Sequence, residues 1–185
     1  MSIQVAIADD HQIVINGIRT MLADYPEIQI TGTWLSGEAL LKGLEKQLPD
    51  VLLLDIQLPD KTGDKLTPVI LKKYPSIRIL TLTNFDSTFY ARNMLCHGAL
   101  GYLLKSTDRK TLIEAIETVY EGREFLEPSM KQQIEEKNLK KNRTHVKFPS
   151  LLPREKEILQ LIADGYTTQK IMETLHLSVN TVDNY

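Results

Sequence analysis

Four short apolar runs, each closed by a polar residue, constrain what the first part of this chain can fold into. Ile3-Gln-Val-Ala-Ile-Ala8 ends at Asp9 and Asp10, Val51-Leu-Leu-Leu54 at Asp55, Ile79-Leu-Thr-Leu82 at Thr83, and Gly101-Tyr-Leu-Leu104 at Lys105. Runs this short, separated by longer stretches with helical periodicity, read as the parallel strands of an alternating β/α domain. The carboxyl ends of such strands share one edge, and in an open parallel sheet that edge is where ligands bind. Three carboxylates, a hydroxyl and an ammonium group are therefore expected to converge in one crevice.

The full pattern predicts strands over 3–8, 28–34, 51–55, 78–83 and 100–104, and helices over 12–24, 37–47, 64–74, 87–97 and 108–121. This is a doubly wound α/β domain with a five-stranded parallel sheet. Tyr25-Pro26, Leu48-Pro49-Asp50 and Tyr74-Pro75-Ser76 each stop a helix before a strand, because the residue preceding proline is pushed out of the α region. Ser36 and Asp108 are natural N-caps. Pro68 is tolerable in a first helical turn, so the third helix is expected to begin close before it, irregularly.

With 185 residues, 42% of them hydrophobic, the chain has room for one domain of ordinary size and a small second one. No apolar stretch approaches the roughly 20 residues that span a bilayer, and the N-terminus lacks the charged and apolar regions of an export signal. A cytoplasmic protein with no membrane partner is expected. Its one cysteine, Cys96, cannot form an internal disulfide, which fits a reducing compartment, and it reads as a small buried helix residue. Residues 1–126 carry 16 acidic and 13 basic side chains and residues 127–185 carry 8 and 9. Neither part is basic enough to announce nucleic acid by charge alone.

The alternation breaks after residue 126. Met130 to Leu139 could form one helix, but Lys137 to Lys147 is polar, largely basic and without apolar periodicity, so 127–150 reads as a flexible linker. Order resumes over 151–185 as a small all-α domain. Pro153 suits a first turn, Ile158, Leu159, Leu161 and Ile162 form a stripe, and Gly165 fits a helix C′ position. A helix from about Thr168 to Leu175, a tight turn at His176-Leu177-Ser178 and a third helix capped by Ser178 make a helix-turn-helix.

Asp9 and Asp10 facing Asp55 form a cluster of hard oxygen ligands whose mutual repulsion a divalent cation relieves, and magnesium suits it best. Asp55 can then act as a nucleophile toward phosphorus and hold an acyl phosphate. Lys105 would neutralise the arriving phosphoryl oxygens, and Thr83 would donate a hydrogen bond to one of them.

These residues resemble the receiver domain of a two-component response regulator over residues 1–122. The matching pieces are Asp9-Asp10, Leu54-Asp55-Ile-Gln-Leu-Pro59 with Gly63, Thr83, and Gly101-Tyr-Leu-Leu-Lys105. The resemblance implies phosphoryl transfer from a sensor histidine kinase to Asp55, and a backbone carbonyl of Gln57 on the magnesium ion. It also implies a switch in which Tyr102 swings inward as Thr83 moves toward the phosphate. Leu152-Pro-Arg-Glu-Lys-Glu-Ile-Leu159, Ile162-Ala-Asp-Gly165, Ile171 and Ser178-Val-Asn-Thr-Val182 resemble the LuxR-type DNA-binding domain. With Asp9-Asp10-His11, they place the chain near the NarL/FixJ class. This second likeness implies promoter DNA as a partner, with Thr181, Val182 and Asn184 on the helix that enters the major groove, and a homodimer on phosphorylation.

Two departures bear on the DNA-binding half. The reading helix has only about two turns between Ser178 and Tyr185, so the domain is expected to be incomplete at its C-terminus and to bind DNA weakly. Asp183 stands where the family often carries a lysine, and a carboxylate there repels phosphates. Two other readings share the acidic cluster. One is a magnesium phosphatase of the aspartyl-phosphate kind, which needs a second carboxylate close after the nucleophile, whereas position 57 is Gln57. The other is a receiver that signals by protein contact alone. The leading expectation is a phosphorylation-controlled transcription regulator, a switching protein and not an enzyme.

Overall fold

The computed structural model describes residues 2–143, 170 and 175, with side chains described through 135 in the first span. The chain divides into two compact units, Met1–Asn138 and Leu139–Tyr185. In the first, strands β1 (Ile3–Ala8), β2 (Ile28–Trp34), β3 (Val51–Leu54), β4 (Arg78–Thr83), β5 (Gly101–Leu104) and β6 (Phe125–Leu126) form one sheet. Helices α1 (Gln12–Leu22), α2 (Gly37–Leu44), α3 (Gly63–Lys73), α4 (Thr88–Cys96) and α5 (Arg109–Tyr120) alternate with them, and α6 (Pro128–Arg143) follows.

The sheet is parallel throughout, in the order β2-β1-β3-β4-β5-β6. Because the central strands are covered on both faces, they are apolar at nearly every position rather than alternating. Val5, Ile7, Leu53, Leu80, Leu82 and Leu103 face α1 and α5. Ala6, Leu52, Leu54, Ile79 and Tyr102 face α2, α3 and α4. The expected doubly wound α/β fold is therefore present, with a sixth strand beyond the expected five. Two residues long, β6 pairs Phe125 and Leu126 with Gly101 and Tyr102, too short a run to show a period in the sequence.

Three further expectations need correction. Pro68 is the sixth residue of α3, not in its first turn. It is exposed, so water can satisfy the carbonyl of Asp64 that an N–H at position 68 would have taken. Cys96 is exposed rather than buried, because α4 turns Ala91 and Met94 to the core and position 96 falls on the opposite side. Of the stretch read as linker, 144–150 lie outside the described residues and Pro128 to Arg143 is helical. This helix takes in the one allowed over Met130 to Leu139 and extends it at both ends. Its first turns are anchored: Met130 is buried with the α4 side of the core, and Arg92 Nη2 donates to the Ile134 carbonyl at 3.0 Å.

The capping expectations hold. Asp108 accepts from the Thr111 N–H at 2.9 Å and Ser36 from the Ala39 N–H at 3.2 Å. Ser36→Ala is expected to lower unfolding free energy by about 1 kcal/mol, read from urea denaturation.

Candidate functional site

Strand order reverses between β1 and β3, and the crevice outside their carboxyl ends is the usual ligand position in such a sheet. Ala8 is in register with Leu54, and Thr83 with Leu104, so Asp9, Asp55, Thr83 and Lys105 all emerge at that edge. Asp9, Asp55 and Thr83 are buried, and Asp10 lies exposed at the rim.

Lys105 organises the centre. Its Nζ is 2.7 Å from Asp55 Oδ2 and 2.7 Å from Asp9 Oδ2, with the lysine side chain only 5% exposed. The carboxylates' other oxygens are held by their own loops: Asp9 Oδ1 accepts from the His11 N–H at 2.9 Å and Asp55 Oδ1 from the Gln57 N–H at 3.2 Å. Burial pushes the Asp55 carboxyl above its ordinary pKa, and the hydrogen bond and charge of Lys105 oppose this without cancelling it. Burial of Lys105 works against its charged form, but its hydrogen bonds to Asp55 and Asp9 outweigh that and raise its pKa. The pair is thus an ammonium shared by two crowded carboxylates.

The loop after Asp55 is tightly folded. Gln57 bridges Thr62 in an antiparallel contact, and the Gly63 N–H donates to the Ile56 carbonyl at 2.8 Å. A Cβ at position 63 would lie 2.8 Å from the Asp55 carbonyl oxygen, so the chain can close here only through glycine.

Thr83 and Tyr102 meet at Phe85. The Phe85 N–H donates to Thr83 Oγ1 at 3.3 Å, and the Tyr102 hydroxyl donates to the Phe85 carbonyl at 2.6 Å. Tyr102 is buried, which raises its pKa. The Phe85 ring stacks on Tyr90 of α4 at 4.7 Å. Sequence reasoning missed Phe85. Its signal is the spacing, since a threonine hydroxyl commonly takes the N–H two residues on.

Ligand atoms of Asp9, Asp10, His11 and Asp55 lie within 4.8 Å of one another, a group that could hold a metal ion. Three hard carboxylates fit a small oxygen-seeking cation. His11 was singled out in the sequence only as a class marker, and its Nδ1 is 2.7 Å from Asp10 Oδ1. Thr181, Val182 and Asn184, together with Asp183, lie outside the described residues.

Comparison with known proteins accounts for both halves. Residues 5–117 match the response regulator receiver domain. The chain belongs to the response regulators. Residues 149–185 match the bacterial regulatory proteins of the luxR family, so this response regulator joins a receiver to a LuxR-type DNA-binding region. It is 34% identical to the transcriptional regulatory protein DegU of Brevibacillus brevis, over 99% of this chain and 84% of that protein. It is 36% identical to the oxygen regulatory protein NreC of Staphylococcus carnosus, over 97% and 86% respectively. Among solved structures, RcsB of Salmonella enterica serovar Typhimurium bound to promoter DNA with a phosphomimetic superposes with a TM-score of 0.77. It shares 28% identity, covering 98% of this chain and 87% of that one. These relatives place the response regulator in the NarL/FixJ class of DNA-binding transcription regulators. None of its helices among the described residues is long and apolar enough to cross a membrane.

Proposed function

We propose that this response regulator accepts a phosphoryl group on Asp55 from a sensor histidine kinase and thereby controls promoter binding by its C-terminal region. The observation that carries the reading is Lys105, placed 2.7 Å from both Asp55 and Asp9. An Asp55 carboxylate oxygen forms the new bond to phosphorus while the bond to the kinase imidazole breaks, and the departing nitrogen takes up a proton. Lys105 then turns part of its charge to the phosphoryl oxygens, and the Thr83 hydroxyl hydrogen, not engaged by Phe85, is available to one of them. Magnesium, held by Asp9, Asp10, Asp55 and the Gln57 backbone carbonyl, supplies neutralisation of the phosphoryl charge when bound.

Signal leaves the site through Phe85. A Thr83 side chain drawn toward phosphate changes its bond to the Phe85 N–H, and Tyr102 shares that residue's carbonyl, so Tyr102 and α4 can be biased between two packings. Phosphorylation shifts an existing equilibrium rather than creating a state. A similar solved structure holds two RcsB dimers on two parallel DNAs, which supports a homodimer and DNA as partners here. Promoter DNA and a kinase's phosphoryl-bearing domain as partners support a cytoplasmic location.

Incubating the 185-residue chain with acetyl phosphate and magnesium, then following adduct lifetime and promoter binding together, tests the reading. A long-lived adduct that alters DNA affinity supports it; rapid turnover to free phosphate would make the protein a phosphatase instead. Magnesium with beryllofluoride is expected to increase self-association, seen as a rise in sedimenting mass. Unchanged mass across all concentrations counts against the dimer.

A further inference from the structure

The turn between β3 and α3 holds Asp55 at one end and Gln57 near its middle, and apart from the ion pair of Asp55 with Lys105 its base closes on itself. The Asp55–Gln57, Gln57–Thr62 and Ile56–Gly63 contacts fix its base. Its tip is fixed from elsewhere. Asp60 Oδ1 accepts from the Gly37 N–H at 2.7 Å and Oδ2 from the Glu38 N–H at 2.8 Å, so one carboxylate takes two of the unpaired donors that open α2. Those bonds hold Asp60 below the usual carboxylate pKa, and the positive end of the helix favours the charge. The fit is close: a Cβ at Gly37 would meet Lys61 Cβ at 3.1 Å and Asp60 Oδ1 at 3.3 Å. Helix α2 has its own cap in Ser36, so Asp60 is not needed merely to start it.

We propose that Asp60 is a positioning residue for phosphoryl transfer, tying the tip of the Asp55–Gly63 turn to the first turn of α2 and so holding the Gln57 carbonyl where the cation needs it. The inference rests on the proposed magnesium site. Asp60 touches neither cation nor phosphoryl group; it acts through its two hydrogen bonds to the first turn of α2, as outer partners of metal ligands do.

The test compares Asp60→Ala, Asp60→Asn and Ser36→Ala in the full chain, measuring magnesium affinity by calorimetry, acetyl phosphate uptake against magnesium concentration, and melting midpoint without metal. Asp60→Ala is expected to weaken magnesium binding about tenfold, with uptake restored by excess magnesium. Asp60→Asn keeps one acceptor for the helix N–H groups and should fall between Ala and wild type. Ser36→Ala removes a cap of the same helix and lowers the midpoint, but leaves magnesium affinity within about twofold, because the turn stays tied. Three results would overturn the proposal: unchanged affinity in Asp60→Ala, equal weakening by Ser36→Ala, or an Asn variant as weak as Ala, which would mean that bare charge is responsible. Failure of the wild-type chain to bind magnesium, or phosphoryl uptake by Asp55→Asn, would instead sink the underlying site assignment and this inference with it.

Discussion

Asp55→Asn is expected to take up no phosphoryl group from acetyl phosphate and magnesium, while melting at the same or a higher temperature than the wild type. An amide keeps the shape of the carboxylate but cannot attack phosphorus. The stability half follows from burial, which raises the Asp55 pKa in spite of Lys105. A group raised in the folded state contributes stability below its unfolded pKa and loses it as pH rises through the folded value. At neutral pH the ionised Asp55 therefore costs the metal-free fold stability, and the amide removes that cost. The advantage of the variant should shrink as the pH is lowered through the raised pKa, where the wild-type carboxyl becomes neutral. Mass spectrometry and a pH series of melts check the two halves separately. One phosphoryl group per chain on the variant would show that another residue is the acceptor.

Lys105→Met should do the opposite to stability. The side chain sits between Asp9 and Asp55 with 5% exposure, and removing it leaves two buried carboxylates facing each other with no cation. Losing one partner of a buried ion pair typically costs about 3 kcal/mol or more, and here one lysine serves two partners. Urea denaturation without metal should show a loss of that order. Magnesium should recover part of it, since a cation can replace the missing charge, and acidification should recover part as the raised Asp55 carboxyl protonates. A variant as stable as wild type in metal-free buffer would mean that the two carboxylates relax apart into water, and that Lys105 does not hold the site together.

Much of this site was legible in the sequence because its residues follow buried strands. A fully covered parallel strand is apolar at nearly every position, so a polar residue at its end is conspicuous; Asp9, Asp55 and Lys105 follow their strands and Thr83 closes β4. What was hidden depends on chain folding that leaves no period. Phe85 contributes backbone atoms to Thr83 and Tyr102, which any residue could do, and Asp60 reaches a helix 23 residues away in sequence. The two-residue β6 and the exposed Cys96 failed for related reasons: one run was too short to read, and one small side chain was assigned by residue type rather than by helix face. Polarity made the stretch from Lys137 look like a tether, although as far as Arg143 it continues a helix whose first turns are packed, as Met130 is.

The strand order also sets when this protein can become competent during synthesis. Asp9 leaves the ribosome early, but its neighbours in space, Asp55 and Lys105, come from β3 and the end of β5. Lys105 Nζ reaches a carboxylate 50 residues earlier in the chain, and pairings at such separation form late because loop closure precedes the contacts that reward it. A nascent chain interrupted before β5 would carry two acidic strand ends with no lysine between them. Under the proposed mechanism, such a chain would expose Asp55 without the ammonium group that meets the arriving phosphoryl oxygens.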